Sequence, residues 1–238
     1  MKIALIGYGK MGKTIENIAL QRGHEIILKI DFDNLHDFNA HNFQKVEVAI
    51  EFTRPESVVD NLKKCIQFHT PVVCGTTGWG SSVTEIEQLC KTESSALFHT
   101  SNFSVGVNIF FAVNRYLAGL MNQAPQYNVA LEEIHHTQKL DAPSGTAITL
   151  AEDILKLIDR KSNWVNEKET SPYQLSILSK RIASVPGTHT VTYDSPIDTI
   201  EITHTAHSRE GFAIGAVLAA EWIVGKKGVF GMKDLLGF

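Results

Sequence analysis

The six residues Gly7-Tyr8-Gly9-Lys10-Met11-Gly12 constrain this chain more than any other stretch. They follow "KIALI", an apolar run of strand type, and open "MGKTIENIALQRG", a helix ended by Gly23. A GxGxxG in that position reads as the turn of a dinucleotide-binding βαβ unit. The first glycine permits a tight turn, the second lets the backbone approach a pyrophosphate, and the third allows close packing of helix on sheet. The free amides of the helix start meet the negative charge. Asp31 ends the next strand-like run, "HEIILKID", where a ribose-hydroxyl partner belongs. The alternative, a glycine-rich turn without a ligand, is disfavoured by the strand before it and by Asp31 after it. Asp31 repels a 2′-phosphate and Phe32 beside it brings no cation, which favours NADH over NADPH, with Lys10 acting in the other direction.

The alternation continues. "VEVAIEF" reads as a strand, "PESVVDNLKKCIQF" as a helix with Pro55 at its first position, "PVVCG" as a strand, "SSVTEIEQLCKT" as a helix with Ser82 and Glu85 in capping-box spacing, and "SALFHT" as a strand. Strands alternating with helices imply a parallel sheet wound right-handed. Two turns, "GTTGW" and "TSNFS", fall at carboxyl ends of those strands, where ligands of open α/β sheets bind. Gly75, Thr76 and Thr77 offer small side chains and free amides there, and Asn102 and Phe103 are placed to border a nicotinamide.

The second half changes character. After a helix in "GVNIFFAVNRYLAGLM" and a strand in "YNVALEEIHH", the runs "YQLSILSKRIAS", "THTVTYD" and "DTIEITHTAH" follow without helices between them. That order predicts an antiparallel or mixed sheet in a second, smaller α+β domain. The expected division is residues 1–104 with 209–238, and 105–208. The last helix, "GFAIGAVLAAEWIV", is apolar on most faces and should be buried against the first domain.

Composition bounds the rest. With 238 residues, 43% hydrophobic, the chain has ample material for a core. A net charge of −4 argues against a general nucleic-acid binder. Cys65, Cys74 and Cys90, odd in number and in no metal-like spacing, suit a reducing cytoplasm. The longest apolar stretch falls short of a membrane span and contains Glu221.

"EEIHHTQKLDAPSGTA", residues 132–147, carries the chemistry. Side chains alternate along a strand, so adjacent His135 and His136 take two roles rather than acting as twin ligands. A metal site and a polar strand end of purely structural meaning stay open as readings, although no metal-ligand spacing accompanies the histidines. Ser144 is a good N-cap, and Gly145-Thr146-Ala147 would open a helix whose first amides lack intrahelical partners, a receptor for a carboxylate. Lys139 adds a positive charge and a transferable proton. One histidine to exchange a proton, another to hold substrate, a lysine and an anion-binding helix start suit a small acid opposite a nicotinamide. The remaining histidines read as surface or structural, with His204 and His207 the nearest of them to the pocket.

"GYGKMG", "FTRPE", "GTTGW", "NFSVGVN" and above all "HHTQKLDAPSGTA" resemble the dihydrodipicolinate reductase family of lysine and diaminopimelate biosynthesis, in family order and over nearly the whole chain. The resemblance implies a Rossmann domain, a substrate and assembly domain, and a homotetramer built through the second sheet. It implies a cyclic dicarboxylate as substrate and NADH or NADPH as reductant, with no metal. Carried over by motif, His135 is the proton donor or acceptor and Lys139 a proton donor that attracts the diacid. His136, Ser144, Gly145 and Thr146 bind substrate. Gly7 to Gly12, Asp31, Phe52, Thr53, Gly75 to Thr77, and Thr100, Ser101, Asn102 and Phe103 bind the dinucleotide. The chain departs from many members in being short around "ASVPGTHTV" and in carrying Leu218 where some have an arginine near the cofactor. A different two-domain reductase, acting for example on a semialdehyde, and a dinucleotide-binding sensor are the competing readings.

Overall fold

The computed structural model describes residues 1–168 and 171–238, and the chain divides into two compact units, Met1–Val105 with Glu210–Phe238, and Gly106–Arg209. The first unit opens with β1 (Lys2–Ile6), α1 (Lys10–Gln21), β2 (Glu25–Ile30), α2 (Ala40–Phe43), β3 (Val48–Glu51), α3 (Pro55–Gln67), β4 (Val72–Cys74), α4 (Val83–Thr92) and β5 (Ala96–His99). The chain then enters the second unit along α5 (Val105–Met121), followed by β6 (Asn128–His135), α6 (Gly145–Leu155), β7 (Asn163–Val165), β8 (Gln174–Arg181), β9 (Gly187–Asp194) and β10 (Thr199–Ala206). It returns with α7 (Glu210–Ile223), β11 (Gly228–Phe230) and α8 (Met232–Leu236).

In the first unit six strands run in the order β11-β5-β4-β3-β1-β2, every neighbouring pair parallel. The inner strands β1, β3, β4 and β5 are mostly apolar because both faces are covered. Ile3 and Leu5 point into one core with Ala216 and Ala220 of α7, while Ala4 and Ile6 point into the other with Leu62 and Cys65 of α3. The chain reverses its winding direction between β1 and β3, the switch point where such sheets take their ligands. The expected capping box at α4 is absent: Ser82 closes a short 3-10 turn, Gly80–Ser82, and makes no side-chain cap. β7 and β11 lack a signal in the sequence because three residues are too few to show a period.

The second unit has five strands ordered β10-β9-β6-β8-β7. β9 pairs antiparallel with β6 and β10, while β8 pairs parallel with β6 and β7, so the sheet is mixed. Its period-2 pattern is clean in β6, where Val129, Leu131, Glu133 and His135 face inward. Val129 and Leu131 join Leu175, Val191, Tyr193 and the inner faces of α5 and α6 in one apolar core. The two inward residues that follow are polar, and there the core ends and the site begins.

Candidate active site

In the first unit a cleft of about 740 Å³ opens at the carboxyl ends of β1, β2 and β3, lined by Gly7, Tyr8, Gly9, Asp31, Phe32, Leu35, Phe52 and Thr53 among others. Gly7 has φ +91°, and a Cβ there would stand 2.1 Å from the carbonyl oxygen of Phe52. Glycine is required by conformation and by space. Gly9 would meet nothing within 4 Å. It sits at the N-cap of α1 without a side-chain cap, so the first amides of that helix face open space. That combination fits a pyrophosphate. Asp31 stands one residue past β2, its carboxylate accepting from the Phe32 amide at 2.9 Å, and Asn34 Oδ1 accepts from the Asp31 amide at 2.7 Å. Phe32 is 85% exposed.

A second, smaller hollow of about 170 Å³ is bordered by Thr76, Thr77, Thr100 and Ser101 with Trp79 and His99. Thr76 Oγ1 accepts from the Thr53 amide at 2.7 Å, which ties the two turns together. Beneath them lies a residue that the sequence analysis passes over, Glu51, fully buried. It accepts hydrogen bonds from the Thr53 hydroxyl, from Asn61 Nδ2 at 3.4 Å and from the Cys74 thiol at 3.3 Å. Burial pushes its carboxyl up against the pull of those bonds.

The side chains of the glycine loop divide between core and solvent: Met11 packs against the apolar core and Gly12 is buried, while Lys10 is exposed. The Phe103 ring, expected beside the nicotinamide, is 2% exposed and packs against Phe52 and Phe98, because the turn folds it inward under the sheet. Asn102 is ordered within its loop, its Oδ1 accepting from the Ser104 amide at 2.9 Å.

In the second unit, register places the chemistry. Glu133 of β6 lies opposite His189 of β9, and His135 opposite Arg181 of β8. His135 Nε2 lies 3.4 Å from Glu133 Oε2 and 3.3 Å from His189 Nε2. Burial alone would raise the Glu133 carboxyl, but His135, His189 and Ser144 outweigh it and hold the group far below the ordinary carboxylate range. His189, read as structural in the sequence, is thus part of the cluster, and burial keeps its imidazole toward the neutral form. His204 packs on Phe110 instead, and burial likewise lowers it. The missed signal was the alternation itself. Glu133 and His189 stand on inward positions of strands whose inward residues farther along, Val129 and Leu131 in β6 and Val191 and Tyr193 in β9, are core.

His136 turns the other way from His135, as the strand requires. Its Nε2 is 3.4 Å from Arg209 Nη2, and its buried Nδ1 has no partner among the described residues. Lys139 forms a double contact with Asp141, 2.8 Å to each carboxylate oxygen. Ser144 is the N-cap of α6, its Oγ accepting from the Ala147 amide at 3.2 Å, and its own amide donates to Glu133. Ser144 is 4% exposed, and its hydroxyl also lies 3.1 Å from His189 Nε2, so it enters the site as the cap that joins α6 to the histidine cluster. The amides of Gly145 and Thr146, in the first turn of α6, remain suited to an anion. Glu133, His135 and His189 also lie close enough together to hold a metal ion, although Arg181 stands beside the same carboxylate.

A parallel sheet with a glycine loop at its switch point, joined to a mixed-sheet unit bearing a histidine-lysine cluster, defines a Rossmann-type, dinucleotide-binding oxidoreductase. The chain belongs to the dihydrodipicolinate reductase family: residues 1–103 match the family's model for "Dihydrodipicolinate reductase, N-terminus" and residues 106–236 that for "Dihydrodipicolinate reductase, C-terminus". It is 50% identical over 236 residues to the 4-hydroxy-tetrahydrodipicolinate reductase of Christiangramia forsetii, covering 99% of this chain and 98% of the relative. The enzyme of the same name from Neisseria meningitidis is 34% identical, over 93% of this chain and 84% of its own length. Among solved structures, the dipicolinate-bound dihydrodipicolinate reductase from Paenisporosarcina sp. TG-14 shares the fold, with a TM-score of 0.78, 22% identity and 98% of both chains covered.

Proposed function

We propose that this protein reduces 4-hydroxy-tetrahydrodipicolinate to tetrahydrodipicolinate with NAD(P)H, in lysine and diaminopimelate biosynthesis. The observation that carries the reading is the composition of one polar cluster at the end of β6. A histidine, a lysine and a helix start with unpartnered amides lie within one dozen residues of sequence. The relative from Paenisporosarcina was solved with dipicolinate, a planar ring with two carboxylates, and such a ligand matches these groups in charge and number.

The reduced nicotinamide supplies a hydride to the ring. Lys139 and the amides of Gly145 and Thr146 bind carboxylate, and His136 offers a hydrogen-bonding imidazole. Hydride addition pushes electrons toward the ring nitrogen and leaves an enamine, and His135 then delivers a proton to its carbon as the nitrogen pair re-forms the imine, a general-acid step. Asp31 at the lip of the cleft, with Phe32 and Leu35 beside it, supports a preference for NADH, while Arg54, which lines the same cleft, acts in the other direction. We further infer a homotetramer assembled through the outward face of the second unit's sheet. There Thr190 pairs with Thr203 and Thr188 with Thr205 across β9 and β10. Among the described residues no helix is long and apolar enough to cross a membrane, and all three cysteines are free; a cytoplasmic setting accords with both.

The test is NADH oxidation by the purified protein, coupled to substrate made in situ from pyruvate and aspartate semialdehyde, with NADPH in parallel. Substrate-dependent loss of absorbance, faster with NADH, is expected. Dinucleotide binding without turnover would overturn the reading.

A further inference from the structure

Glu133 has more partners than a structural carboxylate needs. It is 0% exposed. Both oxygens accept from the Ser144 amide at 3.1 Å. The Arg181 guanidinium lies 3.4 and 3.5 Å from Oε1, while His135 Nε2 and His189 Nε2 lie 3.4 and 3.6 Å from Oε2. Arg181 in turn donates to the carbonyls of Asp141 at 2.6 Å and Lys139 at 3.4 Å. One buried carboxylate therefore joins the histidine, the lysine loop and the carboxylate-binding start of α6.

We propose that Glu133 is a positioning residue of the reaction: it fixes His135 with hydrogen on Nε2, so that Nδ1 is the nitrogen presented to the substrate, and through Arg181 it holds the Lys139 loop in the same frame. The inference rests on the reading that His135 exchanges the proton. An ionised carboxylate only accepts, and an imidazole nitrogen that faces it must carry hydrogen. His189 Nε2, 3.3 Å from His135 Nε2, also faces the same carboxylate oxygen at 3.6 Å, so Glu133 is the neighbour that sets the tautomer. The ring lies over the bare face of Gly187, where a Cβ would stand 2.9 Å from its Cε1 and 3.2 Å from its Nδ1.

In the transfer the Nδ1–H bond breaks and a C–H bond forms with the enamine electron pair of the substrate, leaving neutral imidazole that keeps its hydrogen on Nε2, pointed at Glu133. Solvent restores the proton. The charged and titratable groups around the ring are Glu133 on its own strand, Arg181 from β8, His189 from β9 with His204 beyond it on β10, and Lys139 from the loop. The Ser144 hydroxyl from α6 closes the cluster, 3.1 Å from His189 Nε2. Glu133 is the one anion among these, so neutralising it weakens the protonated form of His135.

The test compares wild type, Glu133→Gln and Arg181→Lys by long-range ¹H–¹⁵N spectra of the histidines, kcat against pH, and thermal melting. Wild type should show His135 in the Nε2–H tautomer. Glu133→Gln should lose that preference, lower kcat at least about tenfold as wrong-tautomer variants do, and move the alkaline limb of the profile to lower pH. Arg181→Lys should keep the tautomer and raise KM for the dicarboxylate, so a general loss of folding cannot imitate the pattern. An Nδ1–H tautomer in wild type would overturn the proposal. So would Glu133→Gln with unchanged spectra and profile, or activity that tracks one equivalent of bound zinc. The spectra need no substrate, so they decide the role of Glu133 even if turnover fails and the proposed reaction falls.

Discussion

At the scale of single residues, the site depends on which protons are where. His135→Ala and Lys139→Ala should each lower kcat by about 10²–10⁴-fold, the usual worth of a general acid, with NADH binding unchanged by fluorescence titration. Gly187→Ala tests the space beneath the imidazole. Its methyl would press on the His135 ring at 2.9 Å, so kcat should fall while the dissociation constant for NADH stays put. Glu133 also makes a prediction about stability. Its folded-state pKa is depressed from 4.5. Its contribution is therefore complete above about pH 4.5 and is lost as pH falls below that value, where the unfolded chain takes up the proton first. Thermal melts from pH 7 to pH 3 should show wild type losing more than Glu133→Gln, and parallel curves would refute the ionised assignment.

At the scale of elements, two helix starts divide the binding work. The start of α1 is bare at Gly9, and Gly7→Ala should abolish dinucleotide binding by forcing the Phe52 carbonyl aside, a loss that calorimetry would read directly. The start of α6 is capped by Ser144, and Ser144→Ala should cost about 0.5–2 kcal/mol in denaturant unfolding, as N-cap removals do. How far the sequence discloses these elements follows from the physics of each signal. The GxGxxG after β1 and the HHxxK run after β6 are local patterns, so the strands, the helices and the candidacy of His135 and Lys139 follow from the sequence. Glu133, His189 and Arg181 belong to three different strands, and register alone brings them together. The burial of Phe103 and Ser144 has no local signal, because tertiary packing decides which way a loop side chain faces.

At the scale of the molecule, the proposed homotetramer predicts a mass in light scattering of four times 26.3 kDa. A charged substitution on the outward sheet face, such as Thr190→Lys opposite Thr203, should lower that mass. A monomeric mass in wild type would remove the assembly from the reading. One detail of the ligand-free protein bears on how it responds to its surroundings. Lys139 is not waiting as a bare cation, since Asp141 already occupies it, at the foot of a loop whose tip, Leu140, is 97% exposed. On the proposed role of Lys139, arrival of a dicarboxylate is an exchange of one counter-ion for another rather than the creation of a new ion pair. Affinity at that position reports only the difference between two similar anions. Added salt, which screens the incumbent and the newcomer alike, should move KM far less than the charge of the substrate would suggest.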